Sequence, residues 1–98
     1  MSNKMRPIHP GEILREELEE LAYSANRLAA RLHVPVNRIT YILNGQRSIT
    51  ADTALRLAKF FGTTPEFWLN LQNAYDLKIT QQRSGKKIDR EVKGREAA

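Results

Sequence analysis

A chain of 98 residues with 41% hydrophobic side chains is long enough for one domain with one modest core, and too apolar for a disordered segment. It has no cysteine, which excludes disulfides, thiolate nucleophiles and cysteine zinc sites. The net charge of +5 is polarised: residues 11–23 hold five Glu against one Arg, while residues 24–61 hold six Lys or Arg against the single acid Asp52, so the centre of the chain suits phosphate.

Residues 1–8 read as an N-terminal arm. They have no apolar stretch like that of a signal peptide, and nowhere does an apolar run approach the ~18 residues of a membrane span. A cytoplasmic, nucleoid-associated protein with no membrane contact is expected. Five helices follow. Pro10 suits the first position of a helix, with Glu12 in its first turn and Leu14, Leu18 and Leu21 on one face. Glu12, Glu16 and Glu20 repeat at i,i+4 on another face, which is unsuited to DNA and available to a basic partner.

Ser24 caps a second helix ending near Leu32, with Leu28, Ala29 and Leu32 inward. His33-Val34-Pro35 breaks it, and Pro35 can begin a third helix, about Val36 to Asn44, stopped by Gly45. Thr50 caps a fourth, with Ala54, Leu55, Leu57, Ala58 and Phe61 inward, stopped by Gly62. Thr64 and Pro65 open a fifth that runs to about Leu77. No alternating strand pattern competes, so the fold class is all-α. From residue 80 to 98 apolar residues thin out and cations dominate, which reads as a flexible basic tail after a domain spanning residues 9–79.

Helices two and three, joined by three residues, have the layout of a helix-turn-helix. Ala29 is small where two backbones must cross, and Val34 can plug the angle between them. Ile39, Ile42 and Leu43 form the inward stripe of the third helix. Opposite them lie Asn37, Tyr41 and Asn44, with Arg38 and Thr40 at the flanks. Such side chains hydrogen-bond base edges and phosphates, and the Glu and Lys of an idle surface helix are missing.

The pattern Ser24-x-x-x-Leu28-Ala29-x-x-Leu32-x-Val34, then Ile39-x-x-x-Leu43-x-Gly45 and Ile49, resembles the Xre-like, repressor-type helix-turn-helix family. The resemblance implies a five-helix, lambda-repressor-type domain whose third helix enters the major groove. By position, Val36, Asn37, Arg38, Thr40 and Tyr41 fall among the base-contacting residues. Asn26, Arg27, Asn44, Gln46, Arg47 and Ser48 fall among those that bind phosphate. Two positions depart from the family pattern. His33 replaces the usual Gly and must turn left-handed or shift the turn, and Ala25 replaces the usual polar residue after the first cap.

"HPGEIL" at His9–Leu14, "NG" at Asn44–Gly45 and "ITADTALRLAKFFGTTPEFWLNLQNAYDL" at Ile49–Leu77 narrow the resemblance to the HigA/VapI group of antitoxins. Membership implies a homodimer that represses its own operon at a palindromic DNA operator. It also implies a HigB-type partner, a small basic toxin that cleaves messenger RNA. The surplus of apolar residues in the fifth helix places the dimer contact at Trp68, Leu69 and Tyr75, and the acidic stripe Glu12, Glu16, Glu20 is the candidate toxin surface. A plain or phage-type repressor without a toxin, and a protein-binding module with minor DNA affinity, are the alternatives. An enzyme is not expected. His9 and His33 are the only histidines and are too isolated for a metal site; Ser24, Thr50 and Thr64 are caps; the glycines are scattered; no cofactor is implied.

Overall fold

The computed structural model describes residues 5–96. Its helices are α1 (Pro10–Leu21), α2 (Ala25–Leu32), α3 (Val36–Leu43), α4 (Ala51–Phe61) and α5 (Pro65–Glu91), with no strand among the described residues. Local chemistry sets the starts of α2, α4 and α5. The hydroxyls of Ser24, Thr50 and Thr64 accept the backbone N–H three residues on, from Arg27, Thr53 and Phe67. At α1 a capping box does this work: His9 Nδ1 accepts from Gly11 N at 2.9 Å, and Glu12 accepts from His9 N at 3.2 Å.

His33 closes α2 at φ 59°, ψ 48°, in the left-handed region, so the turn keeps its length without a glycine. Gly45 and Gly62 also take positive φ, just after α3 and α4. The break between α2 and α3 is therefore short and shaped, and Val34 packs from it against the core.

The core draws Leu14 and Leu18 from α1, Leu28, Ala29 and Leu32 from α2, and Ile39 and Ile42 from α3. Ile49, Ala54, Leu57, Ala58 and Trp68 complete it. α4 and α5 make the most extensive pairing, followed by α2 with α3 and α1 with α3. Two residues expected inward are exposed. Leu21 sits in the last turn of α1, beside the left-handed Ala22 that ends it. Leu55 lies on the shoulder of α4 above an open groove that it shares with Arg31, Arg56 and Lys59.

α5 departs further from expectation. It continues to Glu91, so residues 80–91 are helical rather than an irregular tail. The physical reason is cooperative. The first half of α5 is nucleated by packing, and extension then needs only tolerable helix formers. Residues 78–91 contain no proline, and Gly85 alone costs about 1 kcal/mol relative to Ala. The helix gives the molecule its long axis, 54 Å against 28 and 22 Å.

The largest correction concerns Trp68. Its side chain is 1% exposed, packed against Phe61 and Phe67, with Nε1 donating to Thr63 Oγ1 at 2.9 Å. It is a core residue and has no surface to offer a second chain. Leu69 also packs against the core, and Tyr75 is half-buried with its ring edge-on to His9 at 4.9 Å. Phe67, on the neighbouring stripe, is 43% exposed. On an isolated helix the Phe67 and Trp68 stripes lie about 100° apart, and nothing in the helix chooses between them. The crossing of α4 over α5 makes the choice.

Candidate nucleic-acid interface

α3 owes its position to its inward face. Ile39 and Ile42 are fully buried and Leu43 is half-buried, so the opposite side of the helix points to water. Val36, Asn37, Tyr41 and Asn44 are all exposed there, Tyr41 by 47%. For a ring of that size to be left uncovered beside a filled core, it needs a partner or a solvated role. Thr40 is half-buried, and its hydroxyl donates to the Asn37 carbonyl at 3.3 Å. Pro35 precedes the helix without a side-chain cap, which leaves the first turn of α3 open at its N-terminus.

Arg38 is not free. Its Nη1 donates to Asp52 Oδ2 at 2.6 Å, and its side chain is only 24% exposed. The same oxygen accepts from Arg56 Nε at 2.9 Å, and Arg56 Nη1 donates to the Leu32 carbonyl at 2.9 Å. Arg56 and then Arg38 hold the Asp52 carboxyl below its ordinary pKa. α2, α3 and α4 are thereby linked through one carboxylate.

Among the phosphate candidates, Asn26, Arg27, Gln46, Arg47 and Ser48 are all exposed. The Arg27 guanidinium lies 4.1 Å over the Tyr23 ring, a cation–π contact that orders the side chain without neutralising it. Asn44 Oδ1 accepts from Arg15 Nη2 at 3.4 Å, and the same nitrogen reaches the Leu43 carbonyl at the C-terminus of α3.

The loop after α3 is held by two buried polar side chains that sequence reasoning missed. Gln72 lies within the apolar stretch of α5. Its Oε1 accepts from Ile49 N at 2.8 Å, and its Nε2 donates to Asp76 at 3.0 Å. His9 caps α1, and its ring lies against the same loop at Gly45. The signals were present in the sequence. Pro10 marks His9 as the cap, and a glutamine inside an apolar run must find a partner or be expelled. No group of three His, Asp or Glu able to hold a metal lies among the described residues.

Burial pushes the His9 pKa below 6.5, against opposing effects from Asp76 and Glu12. The unfolded chain therefore takes up the proton first as pH falls. His9 contributes stability that is complete above about pH 6.5 and is lost below it. Thermal melts are expected to fall between roughly pH 7 and 5.5, and His9→Asn, which keeps a cap acceptor without titrating there, should flatten that dependence. An equal slope in the variant would place the titration elsewhere.

The acidic face of α1 is partly committed. Arg6 forms a bidentate pair with Glu12, at 2.9 and 2.7 Å, which with the His9 N–H lowers the Glu12 pKa to about 2. Glu16 and Glu20 remain exposed, with Glu19 beside them.

Comparison with known proteins agrees with this geometry. A family model described as helix-turn-helix matches residues 14–68, more than half of the chain. Virulence-associated protein I of Dichelobacter nodosus is 57% identical over 82% of this chain and 75% of its own length. The solved structure of an addiction module antidote protein of the HigA family from Coxiella burnetii is 71% identical. It superposes with a TM-score of 0.91 over 93% of this chain and all of its own. The Pseudomonas aeruginosa antitoxin HigA, solved with the higBA promoter, is 45% identical with a TM-score of 0.87, over 90% of this chain and 97% of its own.

Proposed function

The chain belongs to the helix-turn-helix family, in its HigA/VapI antitoxin group, and on that footing we propose that it is a DNA-binding antitoxin that represses its own operon. The observation that carries this reading is the outward face of α3. It is exposed and uncharged, lined by Val36, Asn37 and Tyr41, and stands on a fully buried stripe. Asn37 has the bidentate amide that pairs with adenine, and Val36 offers an apolar contact to a thymine methyl. Arg47, beside them on the pinned loop, positions the domain on phosphate. The relative from Pseudomonas aeruginosa, solved with the higBA promoter, supports DNA binding here.

One such domain reads only a few base pairs, so the operator is taken as a palindrome bound by a homodimer with recognition helices about 34 Å apart. With Trp68 in the core, α5 still offers the dimer apolar surface at Phe67, Leu77 (68% exposed) and Ile88. A wild-type chain that sediments as a folded monomer at micromolar concentration would remove this part. The toxin is read as a small basic HigB-type protein that cleaves messenger RNA, drawn to Glu16 and Glu20 on α1. Co-expression with the neighbouring reading frame tests it. Co-purification is the expected result, and a chain that represses but captures nothing is a plain repressor. The protein itself needs no catalytic group or cofactor for either task.

Asn37→Ala is expected to cost about 1–3 kcal/mol on the operator and to relax preference at one base pair, whereas Arg47→Ala should weaken all duplexes alike and lower the salt slope by about one. Unchanged operator binding by Asn37→Ala would sink the assignment of α3 as the reader.

A further inference from the structure

α3 carries one charged residue, Arg38, and residues 24–61 carry one acid, Asp52; the fold brings these two together. Asp52 stands in the first turn of α4, where the helix dipole favours an anion. Arg56 grips it at i,i+4 and is itself tied to the C-terminal carbonyl of α2. The carboxylate is therefore ordered by α4 and α2 independently of Arg38. The segment supplies no other carboxylate to which Arg38 could turn. A guanidinium on a recognition helix would otherwise attach to any phosphate, and such contacts carry no sequence information.

We infer that Asp52 is a specificity-determining residue: it holds Arg38 away from DNA phosphate, so that binding depends on the neutral readers Asn37 and Tyr41. The inference rests on the DNA-binding reading of α3 given above. It assigns Asp52 a role against random duplex rather than toward the operator. Arg38 leaves the carboxylate only where a duplex offers it more than Asp52 does. On random sequence the recognition helix then presents no free cation, and the attraction comes from Arg27 and Arg47 outside it.

The test measures binding to two duplexes by fluorescence anisotropy, one of random sequence and one taken from upstream of the chain's own reading frame, across about 50–200 mM salt. Asp52→Asn is expected to tighten the random duplex several-fold and to steepen its salt slope by about one phosphate contact. The upstream duplex should gain less, so the ratio between the two falls. Arg38→Gln alone should leave the random duplex within twofold of wild type. The double variant Asp52→Asn/Arg38→Gln should return to the wild-type slope.

Loss of affinity for both duplexes in Asp52→Asn would overturn the inference, as would a slope lowered by one in Arg38→Gln alone, because Arg38 would then already be on phosphate. Should Asp52→Asn melt early, Arg38→Gln still decides, since it removes the same ion pair without freeing a cation. A wild-type chain that binds neither duplex in a salt-dependent way refutes the DNA reading itself, which is a separate outcome, and takes the inference with it.

Discussion

Trp68→Ala is expected to destabilise the domain by about 3–5 kcal/mol, the range for deleting a large buried aromatic side chain. The residue is almost wholly enclosed, stacks against Phe61 and Phe67, and spends its one polar atom on Thr63. Truncation leaves a cavity under the junction of α4 and α5, the most extensive helix pairing in the molecule, and removes the bond to the Thr63 hydroxyl. Domains of this size hold roughly 5–15 kcal/mol in all, so the loss is a large share of the total. Each kcal/mol moves the melting temperature by about 4–8 °C at this length. Far-UV circular dichroism at fixed protein concentration is the appropriate measurement, because the variant loses the chain's only tryptophan and any self-association would couple to stability. Trp68→Phe should recover much of the loss and leave that of the Thr63 bond. A change under about 1 kcal/mol for Trp68→Ala would mean that the ring is not a core element.

Gly11→Ala is expected to be damaging too, for the opposite reason. Gly11 sits in the first turn of α1, where α1 crosses the end of α3. A methyl group there would collide with the Ile42 carbonyl oxygen and lie 2.8 Å from the carbonyl carbon and 3.1 Å from His9 Nδ1. Two of those atoms are backbone, so no side-chain rotation relieves the overlap and the helices must part. Overpacking of this kind costs about 1–3 kcal/mol and sometimes more. Because the obstructing carbonyl belongs to α3, the same displacement tilts the outward face of that helix, and on the proposed reading operator binding should fall beyond what the unfolded fraction accounts for. Gly85→Ala is the control. Its new methyl would meet nothing closer than the Gln81 Cβ at 4.0 Å, and in a helix interior alanine should gain about 0.5–1 kcal/mol. An unaltered melting temperature in Gly11→Ala would show that α1 and α3 can separate freely.

Both glycines lie inside helices of the structure, Gly11 in α1 and Gly85 in the part of α5 that the sequence reads as a tail. The space around them separates them, and space is a tertiary property. The same holds for the candidate site. Asn37 and Tyr41 were legible as outward residues because the period of 3.6 places them opposite Ile39 and Ile42, and a stripe of isoleucines is enough to orient a short helix. Arg38 was legible as a flank but not as a bound residue, since Asp52 is fourteen residues away and only the packing of α3 on α4 brings the charges together.

The sequence by itself determined five helices in their order and the caps of α2, α4 and α5, though neither the His9 cap of α1 nor the far end of α5. Ser24, Thr50 and Thr64 act on N–H groups three residues along, and Gly45 and Gly62 supply the positive φ just beyond helix ends, so these effects need no distant partner. It also determined the family, through the short break at His33–Pro35 and the apolar pattern on either side. Tertiary structure alone decided which stripe of α5 is covered. With Phe67 and Trp68 adjacent and both apolar, burial free energy of the isolated helix is nearly the same either way. The choice falls to how α4 crosses α5, which buries Trp68 and turns Phe67 outward. It likewise decided that Gln72 pins the loop after α3 and that His9 lies against it, because a buried contact between residues tens of positions apart leaves no periodic trace in the chain.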